Sequence, residues 1–135
     1  MGENSMTVRF PGGKRADAAC RGFEISTDQS PENGGEGAAP EPFELFLASL
    51  ATCAGIYVLG FCQKRGIPHD GIRLVQSWQR DEKTRRLLAV AITIEVPPTF
   101  PEKYHEALVR VANQCAVKKA IENPPAFEVT TVFSS

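Results

Sequence analysis

The sequence predicts an α+β fold built on antiparallel sheet, with its elements in the order βββ–α–ββ–αα–β. Three observations carry that prediction. Short alternating segments set off by turn residues fill the first 27 positions and return after position 72. One long stretch, Pro42 to Lys64, is apolar and rich in small residues. Near the C-terminal end Leu108, Val111, Ala112 and Cys115 recur at the spacing of one helical face.

The elements follow in order. Thr7-Val8-Arg9-Phe10 reads as a short strand, and Pro11-Gly12-Gly13 as the turn after it. Positions 15 to 20 read as the return strand, and Phe23 to Thr27 alternates like a third. The segment from Asp28 to Glu41 is rich in Gly, Pro and Glu and has no period. It contains Gly34-Gly35-Glu36-Gly37, but no Lys-Ser or Lys-Thr follows and no strand leads directly into it, so the mechanics of a phosphate loop are missing. It reads as a flexible connection, an active-site flap or a crossing segment. Pro42 suits the first turn of a helix, where its missing N–H costs nothing. That helix runs to Lys64 and stops at Gly66, ahead of Pro68. Ile72–Arg80 and Leu87–Val96 read as a hairpin around the polar turn Asp81-Glu82-Lys83-Thr84. Pro97-Pro98 closes it, and Thr99 or Pro101 opens a second helix that ends at Cys115. A short third helix, Ala116–Glu122, stops before Pro124-Pro125, and Phe127–Phe133 reads as a final strand.

At 135 residues the chain predicts one domain, 1–135. Hydrophobic residues at 42% and charged residues at 23% speak against intrinsic disorder. A net charge of -1 lacks the basic excess of a nucleic-acid binder, so no nucleic-acid partner is expected. The four cysteines, at 20, 53, 62 and 115, form no CxxC and are too few for a disulfide scaffold. No metal and no cofactor is expected. The first residues carry neither a basic n-region nor an apolar run, which predicts a cytoplasmic protein with reduced thiols. Leu45–Cys62 has only Ser49 and Thr52 as clearly polar members and is long enough to mimic a membrane span. Its small residues and the strands on either side favour a soluble domain wrapped around a central helix, with no membrane partner. A helix apolar on every side is a buried one. At 23 residues it spans about 34 Å, against a radius of gyration of about 14 Å for such a monomer. One protomer struggles to cover it, so an obligate homodimer is expected.

Cys53 lies mid-helix and Cys115 after the second apolar face. Free cysteine usually packs as a small hydrophobe, which is the plain reading of either. Cys62 follows Cys53 by nine residues on the same helix, offset by 180° and about 13 Å of rise, so the two cannot bridge. Cys20 reads as core. His69 and His105 are not selected by spacing for a Cys–His nucleophile pair.

The segment Pro42-Phe43-Glu44-Leu45-Phe46-Leu47-Ala48-Ser49-Leu50-Ala51-Thr52-Cys53, followed by Arg65-Gly66-Ile67 and Gly71-Ile72, resembles the core of the OsmC/Ohr family of osmotically inducible and organic-hydroperoxide-resistance proteins. Cys115 follows Cys53 by 62 residues, and the resemblance covers nearly the whole chain. It implies an intertwined OsmC-like α+β homodimer with two central helices back to back. It implies a thiol peroxidase for small organic hydroperoxides, Cys53 peroxidatic and Cys115 resolving, with a dithiol reductant to reopen the disulfide. A non-catalytic OsmC-like dimer that binds a small apolar ligand, or serves a structural role, is the alternative.

Three departures from the family pattern stand out. The acidic position of the hydroperoxide-resistance branch, ten before the cysteine, is Phe43, and Glu44 matches the broader branch. Nine residues at 100° place Glu44 opposite Cys53, so it serves a partner subunit's site or caps its own helix. The family arginine, in the first hairpin turn, matches Arg15 best and Lys14 second, and a solvated turn charge fits equally. Ala116 stands where the family usually has proline. A thiol in an apolar helix is expected to have its pKa raised by desolvation, so a cation is expected to reach Cys53, with Arg15 first and Glu44 orienting it.

Overall fold

The computed structural model describes residues 4–134. Two compact units divide the chain, Met1–Ala48 and Ser49–Ser135. In the first, β1 (Thr7–Arg9), β2 (Asp17–Cys20) and β3 (Phe23–Ile25) form an antiparallel meander in the order β1-β2-β3. Thr7 pairs with Ala19 and Ala18 with Ile25.

The connection after β3 is not the structureless segment that its composition predicts. Asp28 is buried, and its carboxylate accepts the N–H groups of Gln29 at 2.7 Å, Ala38 at 3.1 Å and Glu36 at 3.3 Å. One turn of 3-10 helix, Pro31–Asn33, lies within it. A Cβ on Gly35 would stand 2.1 Å from the carbonyl oxygen of Gln29, so the loop closes only with glycine there. These amides hold the Asp28 carboxyl below its ordinary value, Ala38 contributing most.

Helix α1 spans Pro42–Lys64, as the sequence predicts. At its start the Glu44 carboxylate accepts the N–H of Glu41 at 2.9 Å, the return half of a capping box. At its end Gly66, at φ 64, lets Ile67 donate to the carbonyl of Cys62 at 2.9 Å and Gly66 to that of Gln63 at 3.3 Å, the double bond of a Schellman stop. Within this one chain the helix is covered on one side only, as expected of a protomer too small to enclose it. Leu47, Leu50, Ala54, Val58 and Phe61 are buried, but Ile56 is 65% exposed and Tyr57 36%. The buried set recurs every three or four residues, so one stripe is covered and the rest of an apolar helix is left bare. By length and composition alone α1 is long and apolar enough to cross a membrane, a test that the core helix of a soluble protein also passes.

In the second unit β4 (Arg73–Arg80) and β5 (Leu87–Glu95) make an antiparallel hairpin, with an irregular register between Gln79 and Arg80. Asp81 fixes the turn by accepting from Thr84 at 2.8 Å and Lys83 at 2.9 Å. One turn of 3-10 helix, Glu102–Tyr104, leads into α2 (His105–Ala112). Val58, Phe61 and Cys62 from α1 pack with Phe100 and Leu108 as the core of this unit. The second helix therefore starts later and ends earlier than its periodicity suggests, and Cys115 lies beyond it. α3 covers Ala116–Glu122.

The expected final strand is absent from the described chain. Phe127–Phe133 carries no ladder, and Phe127, Val129 and Phe133 are 86%, 95% and 103% exposed. A strand is defined by a neighbour's hydrogen bonds, and no strand edge within one chain takes this segment.

Candidate active site

The second unit assembles a thiol pair. Cys53, half-buried, follows Leu50 by three residues on α1 and so sits at the edge of the buried stripe. Cys115 reaches it from the opposite direction. The chain leaves α2 through Asn113, which donates to Val109, and Gln114, which donates to Val111. Cys115 then turns to extended backbone, φ -49 and ψ 126, as the N-cap of α3. Its sulfur accepts the N–H of Lys118 at 3.5 Å, as a capping side chain does. The Cys115 sulfur lies 4.0 Å from the Leu50 carbonyl oxygen, and its thiol is the leading influence on the acidity of Cys53. Both thiols are free.

Their acidities diverge. The Cys53 thiol is held below the ordinary thiol value, first because Cys115 donates to it and next because the backbone N–H groups of Val117 and Ala116 face it. Partial burial works the other way and is outweighed. The expected rise of Cys53 through desolvation is thus overturned, because the Cys115 thiol first, and the amides at the start of α3 after it, favour the thiolate. Cys115 moves upward, through burial first and then through the bond it gives to Cys53, which is strongest while Cys115 keeps its proton. One sulfur is the more acidic of the two, and the other keeps its proton longer.

A cavity of about 370 Å³ opens beside the pair. Leu50 and Ala54 of α1, Leu87 and Ile92 of β5, and Ile121 of α3 line it, together with Cys115 but not Cys53. Its only polar side chains other than Cys115 are Asn113 and Lys118, and the Lys118 Nζ donates to the Asn113 Oδ1 at 2.9 Å.

A family model described as OsmC-like protein matches residues 34–130, a span that includes both thiols and crosses from one compact unit to the other. The chain belongs to the OsmC-like family. Solved OsmC-like structures agree. A putative osmotic stress induced and detoxification response protein of Psychrobacter arcticus is 25% identical, with a TM-score of 0.76 over 89% of each chain. An organic hydroperoxide resistance protein of Legionella pneumophila is 18% identical, with a TM-score of 0.59 over 90% of this chain and 91% of that one. The organic hydroperoxide resistance protein OhrB of Bacillus subtilis is 20% identical, with a TM-score of 0.54 over 89% of this chain and 92% of that one. No curated protein sequence matches.

The other two expected site residues of this OsmC-like chain belong to the first unit. Arg15 donates to the Asp17 carboxylate at 3.1 Å, and its Nε is buried with no hydrogen-bond partner among the described residues. Glu44 is engaged as the cap described above. Sequence reasoning missed Asp17, though Arg15-x-Asp17 has the spacing of one strand face. It also missed the amides of Ala116 and Val117, for which a cysteine directly before a short helical run was the available signal. Among the described residues no cluster of His, Cys, Asp and Glu is able to hold a metal.

Proposed function

We propose that this OsmC-like chain is a cysteine-based peroxidase of small organic hydroperoxides. The observation that supports the reading is the thiol pair itself, with Cys53 acidified by Cys115 and by the start of α3. The Cys53 thiolate attacks the distal peroxide oxygen and the O–O bond breaks. The leaving alkoxide takes a proton and departs as the alcohol, and Cys53 is left as sulfenic acid. The Cys115 sulfur attacks that sulfenic acid, water leaves and a disulfide forms. A dithiol returns both sulfurs to thiols.

Arg15 is proposed as the cation that further steadies the thiolate and polarises the peroxide. Its unpartnered Nε and its hold on Asp17 favour it over Lys14. Glu44 is proposed as a second orienting carboxylate besides its cap. The working form is proposed to be a homodimer in the cytoplasm. The bare side of α1 and the unladdered apolar tail each call for a covering surface, and a second copy offers both a helix and a sheet edge.

The deciding experiment is consumption of cumene hydroperoxide with a dithiol present, repeated with Cys53→Ser. Turnover by the native chain that vanishes in the variant supports the reading. Binding of an apolar probe without turnover would favour the alternative, a non-catalytic OsmC-like dimer, which draws on the same apolar cavity.

A further inference from the structure

The unit Ser49–Ser135 holds a second cavity, between α1 and α2, that neither Cys53 nor Cys115 lines. It measures about 510 Å³. Tyr57, Gly60 and Phe61 on α1 and Ala107 and Val111 on α2 supply its apolar lining. At Gly60 the space reaches the backbone itself, since a Cβ there would meet no atom within 4 Å.

Its charge is one-sided. Lys64, Arg65 and Arg110 line it, and no Asp or Glu does. The ion pairs among the described residues are Arg15 with Asp17, His69 with Asp70 and Arg73 with Glu95, so none of these three cations holds a carboxylate. Arg65 is fixed in place. Its Nη1 donates to the Phe61 carbonyl at 3.2 Å, and its guanidinium carbon lies 3.7 Å from the centre of the Phe61 ring. Tyr104 meets the same ring edge-on, 5.5 Å between centres. Lys64 and Arg110 are exposed, on long stems able to swing toward an anion. A cation in the last turn of a helix is ordinary, because it offsets the dipole there. Three of them around one apolar hollow, in a chain of net charge -1, exceed that role. The cavity between β5 and α3 differs, for its one cation, Lys118, is tied to Asn113.

We propose that the cavity between α1 and α2 binds a flat aromatic monoanion, a ring system carrying one carboxylate or sulfonate. The ring lies on the bared backbone at Gly60, between Tyr57 and Phe61, and the anionic group meets Arg65, Lys64 and Arg110. The uncompensated cations select the sign of the ligand. The two aromatic side chains and the missing one at Gly60 select its flatness. The volume is that of small-molecule sites, about 300–1,000 Å³. Ile56 also lines the cavity and belongs to the bare side of α1, so a second copy filling the hollow is the competing occupant.

The test titrates the native chain, by fluorescence, with anilinonaphthalene sulfonate and with phenylnaphthylamine, the same rings without the sulfonate. Lys64→Gln combined with Arg110→Gln should weaken the sulfonate about tenfold and leave the neutral probe within about twofold of native. An unchanged sulfonate affinity, the result expected if a second copy fills the hollow, overturns the proposal, and so does equal weakening of both probes. Gly60→Leu fills the space without a clash and removes a helix-weakening glycine, so its melting temperature should not fall. It should weaken both probes by at least about tenfold. Native binding by a folded Gly60→Leu overturns the proposal. The charge variant alters two exposed positions and decides even where Gly60→Leu melts early. Displacement of the sulfonate by decanoate more tightly than by naphthoate would overturn the aromatic class. The inference goes beyond the peroxidase reading and does not rest on it. Cys53→Ser should bind the sulfonate as the native chain does, and loss of the probe in that variant would put it at the thiol and sink the inference. A native chain that binds as expected but ignores peroxides sinks the peroxidase reading alone.

Discussion

Cys53 and Cys62 share one helix, and the structure sends their acidities in opposite directions. Cys53 faces a thiol donor and two amides, and its proton is loosened. Cys62 is enclosed among Val58, Phe61, Phe100 and Leu108, and burial pushes its thiol up, only partly offset by the charge of Arg65. The helix itself contributes the same backbone to both. The difference lies in what packs against each: the capped start of α3 in one case and hydrocarbon in the other. An acidic thiol is thus made by its neighbours, and nine residues along α1 suffice to change them completely.

The sharpest way to break that comparison is to replace each sulfur in turn. Cys53→Ser should drop peroxide consumption to the uncatalysed background, a loss of at least about a hundredfold. Cys62→Ser should retain turnover and instead cost about 1–3 kcal/mol of stability, because a hydroxyl is left in an apolar core. Peroxide assays and urea melts of both variants read this out, and a dead Cys62→Ser that is still folded would end the distinction. Next comes the source of the acidity. Cys115→Ala removes the leading donor to Cys53, so the midpoint of Cys53 alkylation against pH should rise, while that of Cys62 stays above the ordinary thiol value. An unmoved Cys53 midpoint would assign its acidity to the α3 amides alone.

Asp28 extends the comparison to a carboxylate held by amides. Its folded pKa is below its ordinary value, so its stabilising contribution is complete above that ordinary value and fades as pH falls from there through the folded one. Asp28→Asn should therefore be less stable than native at pH 7, with the gap closing below about pH 3. Urea midpoints across that range check the sign. The smallest effects belong to Glu44. Glu44→Ala should cost about 0.5–2 kcal/mol through the lost cap. Glu44→Gln keeps an acceptor there and removes only the charge, so a slower peroxide reaction in a variant of native stability would establish the orienting role. An unchanged rate would leave the cap as its whole function.

Much of this was legible in the sequence where the signal is local. α1 begins at Pro42 and ends before Gly66 because both ends are set by backbone chemistry that those residue types impose. The β4–β5 hairpin appears where alternation and the Asp81 turn place it. The loop after β3 was not legible, because its order depends on one buried carboxylate collecting amides from up to ten residues away, and composition records no such convergence. The final strand carries no ladder within this chain for the opposite reason. Phe127–Phe133 has the residues of a strand, but pairing is supplied by a neighbour and not by the segment.

By itself the sequence determined most of the element types and the family pattern. The first follow from periodicity and turn residues along the chain, and the second from a motif and its spacing. Only the tertiary structure decided why Cys53 is the acidic one. That property depends on Cys115 standing as the N-cap of α3, so that its thiol and the amides of Ala116 and Val117 converge on a sulfur 62 residues earlier. Hydrogen bonds to a thiolate act over a few ångströms in space, and a chain read one residue after another holds no record of what folding brings within that distance.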